Sequence, residues 1–152
     1  MEADMPCLLE NIFLNCSKEF ALKTVATIDF MKWIDPNFGL NTQIVLQNER
    51  MIRSISNVPG IGNVEVERLS LPEIDTIITQ RRPPLGPFIC QLSIQRFIDH
   101  GEGTLLEWKN EFELNDENKA REGTITSYIR ANDVLVLKKT QEYFLRASAK
   151  GR

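Results

Sequence analysis

From residue 42 to residue 114, turn residues cut the sequence into six short segments of strand character. One long helical segment follows them. The segments are TQIVLQ (42–47), RMIRSISN (50–57), VEVERLSL (64–71), TIITQR (76–81), ICQLSIQRF (89–97) and TLLEWKNEFEL (104–114). Between them stand PGIG (59–62), PEID (72–75), RPPLGP (82–87) and DHGEG (99–103), rich in the residues that punctuate hairpins. RPPLGP is not a strand, because its three prolines remove three ladder donors. Short strands joined by tight turns predict an antiparallel sheet.

Upstream, LLENIFLN (8–15) reads as a further strand. Ser17 is a good N-cap for KEFALKTVATIDFMKWI (18–34), where Phe20, Ala21, Thr24, Val25 and Ile28 fall at helical spacing. Pro36 ends that segment, and a break near Asp29–Phe30 would split it into two short helices. Downstream of a polar connection (115–123), residues 124–149 form a long helix. Its apolar side holds Ile125, Tyr128, Ile129, Val136, Leu137, Thr140 and Phe144. The order predicts an α+β fold in one domain, 8–149, with helices segregated to one face of the sheet and residues 1–7 as a flexible tail.

Charge and cysteine content bound the function. A net charge of −3 gives no basic bias toward nucleic acid. No stretch reaches the roughly 18–20 apolar residues that span a bilayer, and the acidic start MEADMPCLLENIF lacks a basic leader. Cys7, Cys16 and Cys90 form neither a metal pattern nor an obvious disulfide framework. The expectation is a cytoplasmic protein with reduced thiols, no metal and no cofactor. His100, the one histidine, falls in the DHGEG turn, where solvent exposure is expected. GIG (60–62) and GEG (101–103) open no helix, so they are hairpin glycines and not phosphate cradles.

The strands supply the candidate site. If PGIG centres a hairpin, residues whose numbers sum to 120 pair, and Arg53 lies opposite Glu67. On a solvated face this is an ordinary cross-strand pair worth roughly 0.2–1 kcal/mol. On the concave face it would be a desolvated pair able to anchor a polar ligand or move a proton. Met51, Ile55, Leu69 and Leu71 share its parity, so we expect the pair to point inward. On 104–114, Leu106, Trp108, Asn110, Phe112 and Leu114 share one face, opposite Glu107, Lys109 and Glu111. Asn110 amid that apolar company either lines a pocket or marks a partly exposed strand end. Cys90, Leu92 and Ile94 alternate with Gln91, Ser93 and Gln95, and the apolar set is expected inward. Tyr128 either offers its hydroxyl to a ligand or packs its ring with the hydroxyl in water.

Three stretches together resemble one known group. WIDPNF (33–38) resembles the Trp–x–x–Pro end of its paired helices. RMIRSISNVPGIGNVEVERLSL (50–71) resembles its hairpin. RRPPLGPFICQLSIQRFIDHGEGTLLEWKNEF (81–112) resembles its Pro-containing loop, strand, Gly turn and Trp-x-x-x-Phe strand. The group is the START-like, or SRPBCC, helix-grip superfamily, in particular its polyketide cyclase/dehydrase and lachrymatory factor synthase-like branch. The resemblance covers about residues 8–148. It implies a curved antiparallel sheet of six or seven strands around a long C-terminal helix, with two short helices between the first and second strands. It also implies a small hydrophobic, aromatic or polyketide-like ligand between sheet and helix. In the lachrymatory factor synthase branch the motif positions of Arg53 and Glu67 are the catalytic pair, so a metal-free cyclase, dehydratase or isomerase is one expectation. A non-catalytic lipid or hydrophobic-ligand carrier is the other, because a shared fold does not transfer a reaction. Trp108, Asn110, Phe112, Leu92, Ile94, Tyr128 and Phe144 are the expected ligand-facing residues, and RPPLGP is either a lid or a rigid turn. A homodimer is compatible with the sequence; nucleic acid and integral membrane partners are not expected.

Overall fold

The computed structural model describes residues 7–36, 38–82 and 86–150. The expected tail therefore lies outside the described residues except for Cys7. So does the middle of RPPLGP, and with it the question of a lid.

Seven strands form one antiparallel sheet. They are β1 (Cys7–Leu14), β2 (Thr42–Gln47), β3 (Met51–Val58), β4 (Gly62–Leu71), β5 (Thr76–Arg82), β6 (Phe88–His100) and β7 (Gly103–Leu114). Their order across the sheet is β1-β7-β6-β5-β4-β3-β2, so β1 and β2 are the edges. Three short helices, α1 (Lys18–Val25), α2 (Ile28–Ile34) and α3 (Phe38–Asn41), lie in sequence between β1 and β2, and α4 (Glu122–Lys150) follows β7.

Local chemistry explains these boundaries. Ser17 caps α1 by accepting from the Phe20 N–H, as expected. The break in the paired helices comes earlier than Asp29, because Thr27 is itself an N-cap, accepting from the Phe30 N–H at 3.2 Å. The buried face of α1 is Ala21, Leu22 and Val25; Phe20 is half exposed at 50%. The β3–β4 hairpin turns through Gly60, whose φ of 80° suits a residue without Cβ. Its register matches the expected sum, with Arg53 opposite Glu67.

The inner face of the sheet is fixed by contact with α4 and by pairing across strands. Residues directly opposite each other in neighbouring strands point to the same side. Asn110 of β7 meets Asp133 of α4, so its row is the inner one. That row runs Leu8, Asn110, Ser93, Thr79, Arg68, Ile52 from β1 to β3.

Two apolar clusters pack on this inner face. One gathers Leu14, Val25, Phe30, Phe97, Leu106, Leu137 and Phe144, where the helices before β2 meet α4. Tyr143 stacks edge-on against Phe30 and Trp33 there. The other holds Leu8, Phe112, Leu114 and Ile129 near the start of α4. No helix among the described residues is long and apolar enough to cross a membrane.

Candidate functional site in the sheet–helix space

The buried stripe of α4 runs Ile129, Asp133, Leu137, Thr140, Phe144, at helical steps of four, four, three and four. Four of these residues suit a core. Asp133 does not, yet it is only 3% exposed. Burial disfavours its charged form and pushes its pKa up from 3.8 to about 6. The Glu10 charge pushes the same way, while Asn110 and the Arg81 charge oppose it. Asn110, 2% exposed, donates from Nδ2 to Asp133 Oδ2 at 2.6 Å. The amide in the Trp108–Asn110–Phe112 face thus orients a buried carboxyl.

Further polar groups share the inner face. Glu10, Trp108 and Gln95 lie opposite one another on β1, β7 and β6. The Trp108 indole N–H donates to the Ser93 hydroxyl. Ser54 and Thr79 are buried on the same side. Two arginines also point inward: Arg68, opposite Thr79, and Arg81, opposite Gln91. Arg68 Nη2 donates to the Val25 carbonyl at the end of α1 (2.7 Å) and to Gln95 Oε1 (3.5 Å). Its Nε is sealed from solvent and has no partner among the described residues. Burial pulls the Arg68 pKa down to about 10, with the Arg81 charge adding to the effect. Burial also lowers Arg81, against the pull of Asp133.

A groove of about 640 Å³ lies between the α1–α2 corner (Leu22, Ala26, Ile28) and the β2–β3 turn (Asn48 to Ile52), with Arg68 and Ser70 among its walls. Solvent therefore reaches Arg68 from the edge of the fold near β2.

Several expectations change. Arg53 and Glu67 do pair, at 3.6 Å, but on the convex face. Their row continues through Gln80, Leu92, Glu111 and Cys7, one residue out of phase with Asn110. Glu65 and Arg82 complete a surface ion cluster with them. Leu92, Ile94 and Cys90 point outward as well, leaving Gln91, Ser93 and Gln95 inside. The reason is common to all five residues. The convex face carries an apolar run of Met51, Leu69, Ile78 and Ile94, continued through Lys109 to Leu9, so apolar parity marks the wrong side of the middle strands. Tyr128 is 77% exposed and faces solvent. Phe112 and Phe144 are inward but locked in the two apolar clusters. Trp108 and Asn110 sit at the centre of the inner face, as expected.

Sequence reasoning does not assign Arg68, Arg81 or Asp133 to the site. A carboxylate inside the apolar stripe of α4 is a readable signal. The two arginines are hidden by the facing error. Among the described residues, no three His, Cys, Asp or Glu side chains gather as a metal ion would require.

No protein-family model matches the chain, and comparison with curated proteins returns no match. Solved structures do match. The Zhui aromatase/cyclase from a Streptomyces species superposes with a TM-score of 0.71 at 16% identity, covering 94% of this chain and 95% of its own. Norcoclaurine synthase from Thalictrum flavum gives 0.71 at 12% identity, covering 93% and 87%. A START superfamily protein from Mycobacterium smegmatis gives 0.64 at 12% identity, covering 93% and 98%. The open seven-stranded sheet, the short helices before β2 and the long closing helix make a helix-grip fold, which the chain shares with these structures over 93–94% of its length.

Proposed function

We propose that the chain binds a small hydrophobic molecule, aromatic or polyketide-like, between the sheet and α4, and exchanges protons with it through Asp133. The observation that carries this reading is the Asn110–Asp133 contact, buried between two apolar clusters. A carboxyl with a pKa of about 6 is present in both protonation states near neutrality, as general acid–base work requires. Asn110 holds one oxygen of that carboxyl, leaving the other for a ligand proton. Trp108, fixed by Ser93, offers a flat apolar wall beside it. The structural neighbours include proteins named as an aromatase/cyclase and a norcoclaurine synthase, which agrees with chemistry on a ligand in this space. Deprotonation next to a carbonyl, followed by ring closure or loss of water, is the reaction class that one buried carboxyl supports best.

The test uses aryl β-diketones in deuterated water. The protein should accelerate deuterium uptake at their acidic methylene, and Asp133→Asn should abolish the acceleration while leaving binding within about tenfold. Binding without any Asp133-dependent exchange would reduce the protein to a carrier. No binding by any hydrophobic probe would sink the cavity reading altogether.

A further inference from the structure

Eight arginines with described side chains can be compared by partner, setting aside the exposed Arg121. Arg50, Arg53, Arg82, Arg96, Arg130 and Arg146 each have a carboxylate within 4 Å. Among the described residues, Arg68 and Arg81 have none. These two are the arginines that the register turns into the fold. Arg68 is satisfied only by neutral acceptors, the Val25 carbonyl and the Gln95 amide, and its sealed Nε donates to nothing. No side-chain hydrogen bond of Arg81 is found among the described residues. The two guanidinium groups are near enough for the charge of Arg81 to act on Arg68.

Two desolvated like charges without a counter-charge are costly to a fold. Asp133 attracts Arg81 and is ionised at pH 8, but one carboxylate offsets only one of the two guanidinium charges, and Glu10 is already paired with Arg130. The inner face therefore carries an excess of positive charge and one sealed donor without a partner among the described residues, the Arg68 Nε–H, which a bound anion would answer.

Resting on the cavity reading above, we propose that the bound molecule carries a carboxylate and that Arg68 and Arg81 together hold it. A guanidinium fork matches a carboxylate in shape and charge, and the Arg68 Nε–H is the unused prong of such a fork. Arg68 is among the walls of the groove of about 640 Å³, where an acid arriving from solvent meets it. The apolar remainder would then lie along Trp108 toward Asp133, so the arginines set which end enters last. Arg68 and Arg81 are, on this view, specificity-determining, and the ligand class is a hydrophobic acid.

The experiment compares three matched probes on the intact chain at pH 8: a naphthyl-alkyl carboxylic acid, its methyl ester and the corresponding alcohol. Affinity is read by tryptophan fluorescence. The acid should bind at least tenfold more tightly than either neutral probe. Arg68→Gln and Arg81→Gln should each weaken the acid about tenfold and leave the alcohol within about twofold. Equal affinity for acid, ester and alcohol in the unaltered protein would overturn the proposal while the cavity stands, and needs no variant to be folded. Binding of none of the three would overturn the cavity reading as well. A loss of alcohol binding equal to that of the acid in both variants would show a structural role for the arginines and overturn their assignment.

Discussion

Replacing Asp133 by Asn should make the protein more stable at pH 8 and leave it unchanged near pH 3. The two side chains are of equal size, and the carbonyl of an asparagine at this position can still accept from the Asn110 amide, so the 2.6 Å contact survives in kind. What changes is charge. In the unfolded chain the carboxyl ionises in water near 3.8; in the fold it ionises near 6. The folded state thus holds its proton more tightly, and stability falls as pH rises between those values and is then level. The difference of about 2 pH units corresponds to a ceiling of about 3 kcal/mol at pH 8. Relaxation and water entry around the ion reduce it, so a gain of about 1–3 kcal/mol is expected, or about 2–12 °C in Tm for a chain of this size. Glu10 and Arg81 are the charged neighbours that set the balance, and neither is altered. Urea unfolding of both proteins at pH 3 and pH 8 reads the effect directly. Equal stability of the two at pH 8, or a gain that persists undiminished at pH 3, would refute the reasoning. A group that lowers stability where it stands is a candidate for selection by function.

Other outcomes follow from the packing. Arg53→Ala with Glu67→Ala should cost no more than about 1 kcal/mol in thermal unfolding, as an outer-face ion pair does, and should leave probe binding unchanged. Phe144→Ala, at a residue 1% exposed, should cost about 3–5 kcal/mol by urea titration. Gly103→Ala should destabilise by about 1–3 kcal/mol in the same assay, because the added carbon meets the Leu14 carbonyl and the Phe13 ring where β1 joins β7. Ser17→Ala should cost about 1 kcal/mol, read as a lower Tm, by leaving the Phe20 N–H without its cap.

The sequence carried the fold farther than the site. Gly60 and the alternation on either side of PGIG were enough to pair Arg53 with Glu67 to the residue. Pairing is local information; facing is not. Which side of β3–β6 meets α4 depends on contacts far along the chain, and here Ser54, Arg68, Thr79, Arg81, Gln91, Ser93 and Gln95 stand on the inside while Met51, Leu69, Ile78 and Ile94 cover the outside. Hydrophobic parity assumes an apolar interior, so it reversed where the interior is polar. On β7 it succeeded, because Leu106, Phe112 and Leu114 belong to true apolar clusters on the inner face. Asp133 was exposed to the same bias: a search for the apolar side of α4 passes over the one residue that breaks it. The early end of α1 at Val25 was likewise set by a cap, Thr27, inside a stretch whose spacing continues through it.

The most direct measurement is a backbone and side-chain amide NMR titration with a neutral naphthyl probe. The Trp108 indole N–H, the Asn110 side-chain amide and the amides of Thr79 and Ser93 should shift together and saturate at one equivalent. Arg53, Glu67 and Ile94, on the far side of the same sheet, should stay in place. Shifts confined to the Arg53–Glu67 face, with Trp108 and Asn110 unmoved, would contradict a ligand site between the sheet and α4.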